Sequence, residues 1–231
     1  MGFDSEQWIS RLLERLDEAF GDRVLFVGHI GSYARGEATE DSDVDINIVL
    51  DSLTFDDLES YRKIVRCMPH REKACGFICG ADEMRAWPAH ERFQFTQGCI
   101  TLRGSLDGLV PAATDDDIRD SVRNIASSIY HQCCHSYIFE AEVDEAAESL
   151  KGAYKTAFFV MQELVHLRDR EYVATKVELL DRLDSLDREV LKACMRWNEL
   201  KEDRRDRPEH YFTMLREWSS RALRSVREDR S

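Results

Sequence analysis

Asp43 and Asp45 stand one residue apart at the head of a run, DVDINIVLD, in which polar and apolar side chains alternate. That period is the period of a strand. Successive side chains on a strand point to opposite faces, so Asp43, Asp45 and Asn47 share one face and Val44, Ile46 and Ile48 the other. Two carboxylates held this close raise each other's proton affinity, and a divalent cation reverses that penalty. Hard carboxylate oxygens suit magnesium, which takes one or two of them and fills its octahedron with water and phosphate oxygens. Gly31 and Ser32, just upstream, supply the other half of such a site. Glycine permits close backbone approach, and the Ser32 hydroxyl and N–H can both donate to a phosphate. A helical turn starting there adds its N-terminal dipole, and Arg35 can neutralise further charge. No Gly-Lys-Ser/Thr follows the glycine, so this is not a Walker loop. Together these residues point to metal-assisted transfer on a polyphosphate.

The rest of the chain sets bounds on that chemistry. It has 231 residues, 43% hydrophobic and 33% charged, with a net charge of -13. This is a globular composition with ample material for a core. The acidic balance argues against general nucleic-acid binding, which needs clustered cations. No apolar run is long enough to span a membrane, and the N-terminal stretch lacks the basic start and apolar segment of a signal peptide. Met1-Gly2 resembles a myristoylation start, but Glu6 stands where Ser or Thr is needed. Seven cysteines, an odd number in a chain of this size, fit reduced thiols in a cytoplasmic protein. His131, Cys133, Cys134 and His135 lie close together but lack a second ligand pair, so they read as one helix with buried thiols rather than a zinc site.

Periodicity places the elements that must hold the acids. Trp8, Ile9, Leu12, Leu13, Leu16 and Phe20 form the inner stripe of an N-terminal helix. Residues 24–30 read as a buried strand, 43–51 as a second and 72–80 as a third, with a helix capped by Thr54 and stopped by Pro69 between the last two. Residues 93–95 and 100–102 are candidate edge strands. From residue 115 onward the period is helical: 115–142, a long helix over 144–168, then 174–183, 187–197 and 209–227. Residues 200–210 read as a charged, solvated loop. The expected class is α+β: an α/β part with a small mixed sheet over residues 1–110, then an all-α helical bundle over 111–231.

The stretch GSYARGEATEDSDVDINIVLD resembles the signature of the polymerase-β-like nucleotidyltransferase superfamily, at Gly31, Ser32, Ala34, Arg35, Gly36, Ser42, Asp43 and Asp45. The resemblance implies that Asp43 and Asp45 bind catalytic magnesium, and that Gly31, Ser32, Arg35 and Ser42 hold a nucleoside triphosphate, ATP above all. Residues 87–95 (WPAHERFQF) and 172–183 (YVATKVELLDRL) look like parts of the two-domain aminoglycoside adenylyltransferases of the streptomycin/spectinomycin type. That likeness implies a Lys176 contact to the ATP phosphates. Its implied activity is transfer of AMP from ATP to a hydroxyl of a small, aminoglycoside-like acceptor, with release of pyrophosphate, by a monomer or homodimer. The superfamily often carries a third acid on the next strand, as general base or metal ligand. Here Ala74 falls nearest that place; Glu72, two residues earlier and on the same strand face, is the expected catalytic acid. Asp82, Glu145 and Glu148 are further candidates, and Trp87, Tyr130, His135 and Glu140 are candidates for an acceptor pocket. Protein adenylylation of the antitoxin kind and a catalytically degenerate nucleotide-binding module stay open as alternatives. An Arg-polar-x3-His run of the HEPN ribonuclease type, Arg205 to His210, is interrupted by Pro208 and reads as chance.

Overall fold

A computed structural model describes residues 3–140 and 142–228, without the side chains of His90, Val143, Asp144, Ala146 and Glu228; the Met1-Gly2 start lies outside the described residues. The chain divides into two compact units, Met1–Ala112 and Ala113–Ser231.

The first unit runs α1 (Ser5–Phe20), β1 (Val24–Ile30), α2 (Gly31–Ala34), β2 (Val44–Leu50), α3 (Phe55–Cys67), β3 (Ala74–Gly80), α4 (Ala81–Arg85), α5 (Arg92–Gln97) and β4 (Ile100–Gly104). Its sheet is mixed, in the order β3-β2-β1-β4. β1 pairs antiparallel with β2 and β4, while β2 and β3 are parallel, the pairing that requires a crossover such as α3. Both faces of β2 are used. Val44, Ile46, Ile48 and Leu50 pack with Trp8, Leu12, Leu16 and Phe20 of α1 and Ile64 of α3. On the opposite face Val49 joins Phe26, Cys79, Met84 and Phe95. The Trp8 indole N–H donates to the Pro69 carbonyl (2.7 Å), tying α1 to the chain just past α3.

α3 begins with a complete capping box. Asp57 N–H donates to the Thr54 hydroxyl oxygen (3.3 Å), and the Asp57 carboxylate accepts from Thr54 N–H (2.9 Å) and Thr54 O–H (2.8 Å). Arg23, just before β1, donates to both Asp57 oxygens (2.7 and 3.0 Å) and to Asp51 (3.0 Å). One guanidinium thus joins the start of β1, the end of β2 and the start of α3.

The second unit is all helix: α6 (Asp115–Phe139), α7 (Val143–Ser149), α8 (Lys151–Asp169), α9 (Lys176–Arg182), α10 (Ser185–Met195), α11 (Lys201–Asp206) and α12 (Pro208–Glu228). Its core gathers Ile129, Leu150, Tyr154, Phe158, Met161, Leu191, Leu215 and Trp218. Several buried polar groups here find a partner: Ser121 donates to Glu163 (2.7 Å), Tyr154 O–H to the Tyr211 carbonyl (2.8 Å), and Trp218 N–H to Asp187 (2.8 Å). Among the described residues no helix is long and apolar enough to cross a membrane.

The structure corrects three expectations. Residues 93–95 lie in α5 rather than an edge strand, and both Phe93 and Phe95 are buried there. The long helix expected over 144–168 is two helices. It breaks at buried Leu150, whose N–H closes back on Ala147 (3.3 Å) and ends α7. Residues 200–210 are not a solvated loop, because α11 buries Arg204. Its guanidinium lies 4.0 Å over the Trp197 ring and donates to the Trp197 carbonyl and to Glu148 (2.6 Å), so its charge is paired inside.

The Arg23–Asp57 pair holds the Asp57 carboxyl well below the usual carboxylate range, first through Arg23 and then through Thr54. A carboxyl depressed in the fold stabilises it above the unfolded value, about 4, and loses that contribution as pH falls toward the folded value. Asp57→Ala is expected to cost about 2 kcal/mol at neutral pH. Urea unfolding should show the deficit shrinking below pH ~4; a deficit independent of pH would mean that the carboxylate is not its source.

Candidate active site

The site grows from the end of β1 and the start of β2. β1 finishes at Ile30, opposite Asp45 in the antiparallel ladder. The chain then turns at once into α2, whose first residue is Gly31 at φ +79°. A side chain at that position would be doubly excluded. The φ lies in the left-handed region, and a Cβ would sit 2.0 Å from Asp45 Oδ2. The Gly31 backbone therefore closes directly over the Asp45 carboxylate, so the Gly-Ser turn and the second acid form one structure.

Ser32 follows, half-buried, and its hydroxyl makes no hydrogen bond among the described residues. Asp43 is exposed just ahead of β2, and Asp45 is half-buried within it. The donor chemistry fits a magnesium–polyphosphate: two hard carboxylates on one strand face, with a free hydroxyl beside them. Among the described residues no group of three or more His, Cys, Asp or Glu side chains could hold an ion. The pair thus suits a cation that brings its remaining ligands with it, as magnesium does with water and phosphate.

Other expected residues are placed differently. The Ser42 hydroxyl accepts from Thr39 N–H (2.8 Å) and so staples the loop before β2. Lys73 donates to the Glu40 and Ser42 carbonyls (2.6 and 3.1 Å), pinning the same loop to the start of β3. Arg35 pairs with Glu37 (3.2 Å), its side chain 10% exposed. Lys176 lies in the second unit, at the first turn of α9, with its ammonium 4.8 Å over the Phe158 ring. Glu148 is bound to Arg204 on α7, and Glu145 lies exposed on the same short helix. Asp82 is in α4, paired with Arg85 (2.7 Å). Trp87 stacks on Phe77 with rings 6° from parallel, a packing role.

Glu72 requires a correction. It precedes β3, in a single 3-10 turn (Arg71–Lys73), and its carboxylate meets His70 Nδ1 at 3.3 Å. Its own backbone N–H and then His70 hold it below the usual carboxylate range. Ala74 is also displaced from the acids. It pairs with Val44 and packs on the apolar face of the sheet. The β3 residue beside Asp45 is Cys75, which is exposed. Burial, then Asp45, pushes that thiol up from its ordinary value.

Two further groups near the acids escape a reading of the sequence. Asn47, next on the Asp45 face, is fully buried, and neither its amide oxygen nor its amide nitrogen finds a partner. Gly28 on β1 and Phe77 on β3 flank it in the ladder, and neither offers a polar side chain. His29, opposite Ile46, has a buried Nε2 without a partner; burial lowers its pKa against the pull of Asp45. The alternating pattern showed where Asn47 points, but only the neighbouring strands show that nothing meets it.

With this geometry in place, comparison with known proteins gives a consistent picture. Residues 9–74 match the model of the nucleotidyltransferase domain family. No curated protein matches in sequence. Among solved structures, the fold is similar to that of the spectinomycin adenyltransferase AAD(9) from Enterococcus faecialis, crystallised with ATP and spectinomycin. The TM-score is 0.53 at 12% identity, over 91% of this chain and 98% of that one. The two-unit α+β fold is therefore shared, and the matched domain supports nucleotidyl transfer as the class of activity.

A buried amide with no partner costs about 1–3 kcal/mol relative to a satisfied one. Asn47→Val, which removes the amide and suits a strand, is expected to raise stability by about 1 kcal/mol in urea unfolding. A loss of stability instead would show that the amide has a partner in solution.

Proposed function

We propose that this chain transfers AMP from ATP to a hydroxyl of a small acceptor, releasing pyrophosphate, in a magnesium-dependent reaction. The observation that carries this reading is the Gly31 backbone closed over the Asp45 carboxylate, with Ser32 next in the chain. Asp43 and Asp45 would hold the metal. Bound there, magnesium would offset charge on the leaving pyrophosphate and help align attack on the α-phosphorus. Ser32 and the backbone of the Gly31 turn would orient the β- and γ-phosphates. The loop staple from Ser42 and Lys73 would keep Asp43 at the mouth of the strand. An aminoglycoside-like acceptor is the first class to screen. The fold neighbour was crystallised with spectinomycin, and a cationic acceptor suits a chain of net charge -13.

A second reading, nucleotide binding without turnover, is favoured by one observation. A thiol, and not an acid, stands beside Asp45 on β3. The two readings separate in a direct experiment. Calorimetric titration with a non-hydrolysable ATP analogue should show magnesium-dependent binding that is lost in Asp43→Asn and Asp45→Asn. Pyrophosphate release with a panel of aminoglycosides should then fall by ~10²–10³-fold in either variant. Binding without release under any acceptor would support the second reading, and unaltered binding in the Asn variants would remove the site. Glu72→Gln is expected to keep pyrophosphate release within about threefold of wild type, because the side chain sits off the acidic face. A loss as large as that of Asp45→Asn would restore Glu72 to the machinery.

A further inference from the structure

We propose that the chain self-associates through a face formed by the end of α6 and the start of α12, with a second copy of itself as the occupant. A cavity of about 290 Å³ opens there, between Tyr137 and Ile138 of α6 and Phe212 of α12. The apolar surface extends beyond it. Ile138 is 66% and Phe139 72% exposed, and the Phe139 ring lies 4.8 Å from that of His135. Four of the nine exposed large hydrophobics among the described residues (Tyr130, Tyr137, Ile138 and Phe139) fall within this one stretch of α6. Exposed apolar side chains gathered at one helix end, beside an open cavity, mark an interaction surface. A small molecule filling the cavity would leave Phe139 in water, whereas a protein face would cover both.

The charges along α12 select the partner. Glu209, Thr213 and Arg216 all line the cavity and all are exposed. Their spacing of four and then three residues puts them in one row on the helix. Glu209 has no ion-pair partner among the described residues, and Arg216 reaches only its neighbour Glu217, at 3.5 Å. The acid and the base stand two turns apart, about 10 Å along the axis. A two-fold axis through the midpoint, beside Thr213, would set each Glu209 against the other copy's Arg216. That is the self-complementarity a symmetric dimer requires. Thr213 is small enough there to let the two helices approach, and Ile138 of each copy would enter the other's cavity.

Light scattering and sedimentation equilibrium on the full chain test this across the micromolar range. The expected species has twice the mass of the chain. Ile138→Asp should leave only monomer. Glu209→Arg should weaken association roughly tenfold or more, by setting like charges together. The double variant Glu209→Arg/Arg216→Glu, of unchanged net charge, should return to within about threefold of wild type. Circular dichroism and thermal unfolding should show all variants folded. A monomeric wild type overturns the proposal, as does association that survives Ile138→Asp. A double variant no better than Glu209→Arg overturns the pairing. A monomer that takes up an anilinonaphthalene dye, displaced by Ile138→Asp, would assign the cavity to small apolar ligands instead.

Discussion

The site depends on the contact between the Gly31 backbone and the Asp45 carboxylate. A strand that carries acids on one face must bury its other face, because alternation links the two. In β2 the buried face is Val44, Ile46, Ile48 and Leu50, packed on α1 and α3. That packing fixes which way Asp43 and Asp45 point. The antiparallel partner β1 then ends at the residue opposite Asp45, and the chain turns over the carboxylate at the only residue type that fits. Two carboxylates on one strand face of a chain of net charge -13 repel each other, and a bound cation would offset that repulsion.

The same sheet shows what the site does not receive from its neighbours. On the acidic face, β3 brings Cys75 beside Asp45, then Phe77 beside Asn47 and Cys79 beside Val49. The face therefore changes from polar to apolar within two residues, with Asn47 at the boundary and unmatched. Elsewhere among the described residues several buried polar groups find at least one partner. In the second unit Gln162 donates to the Val173 carbonyl (2.7 Å), Ser121 meets Glu163, and even buried Arg204 is met by Glu148 and Trp197. A buried amide with both ends unmatched carries an energetic cost that the fold's other contacts must offset.

The two units rely on different forces to position their residues. The first is joined by a few polar clamps at element ends: Arg23 across β1, β2 and α3, and Lys73 across the Ser42 loop. The Lys73 clamp sets the loop just ahead of Asp43, while the Arg23 clamp ties the other end of the sheet. The second is organised by aromatic packing around Tyr154, Trp197 and Tyr211, with the deeply buried Arg204 stacked on Trp197.

Local physics made much of this legible in the sequence. Strand alternation assigned Asp43, Asp45 and Asn47 to one face, and the Gly-Ser turn and Thr54 cap marked element boundaries that the structure keeps. The same local signals misread α5, where two buried aromatics two residues apart mimic a strand. They also merged α7 and α8, whose separation lies in one buried leucine and not in any Gly or Pro. Register between strands was beyond them. Whether Ala74, Cys75 or Glu72 stands beside Asp45 depends on how α3 and the turn after it return the chain to the sheet. A shift of one residue there moves every β3 side chain to the other face. The type and direction of the acids were thus written in the chain, since alternation is a property of neighbouring residues. Their lateral company was decided only by the tertiary structure, since pairing across a crossover joins residues thirty positions apart.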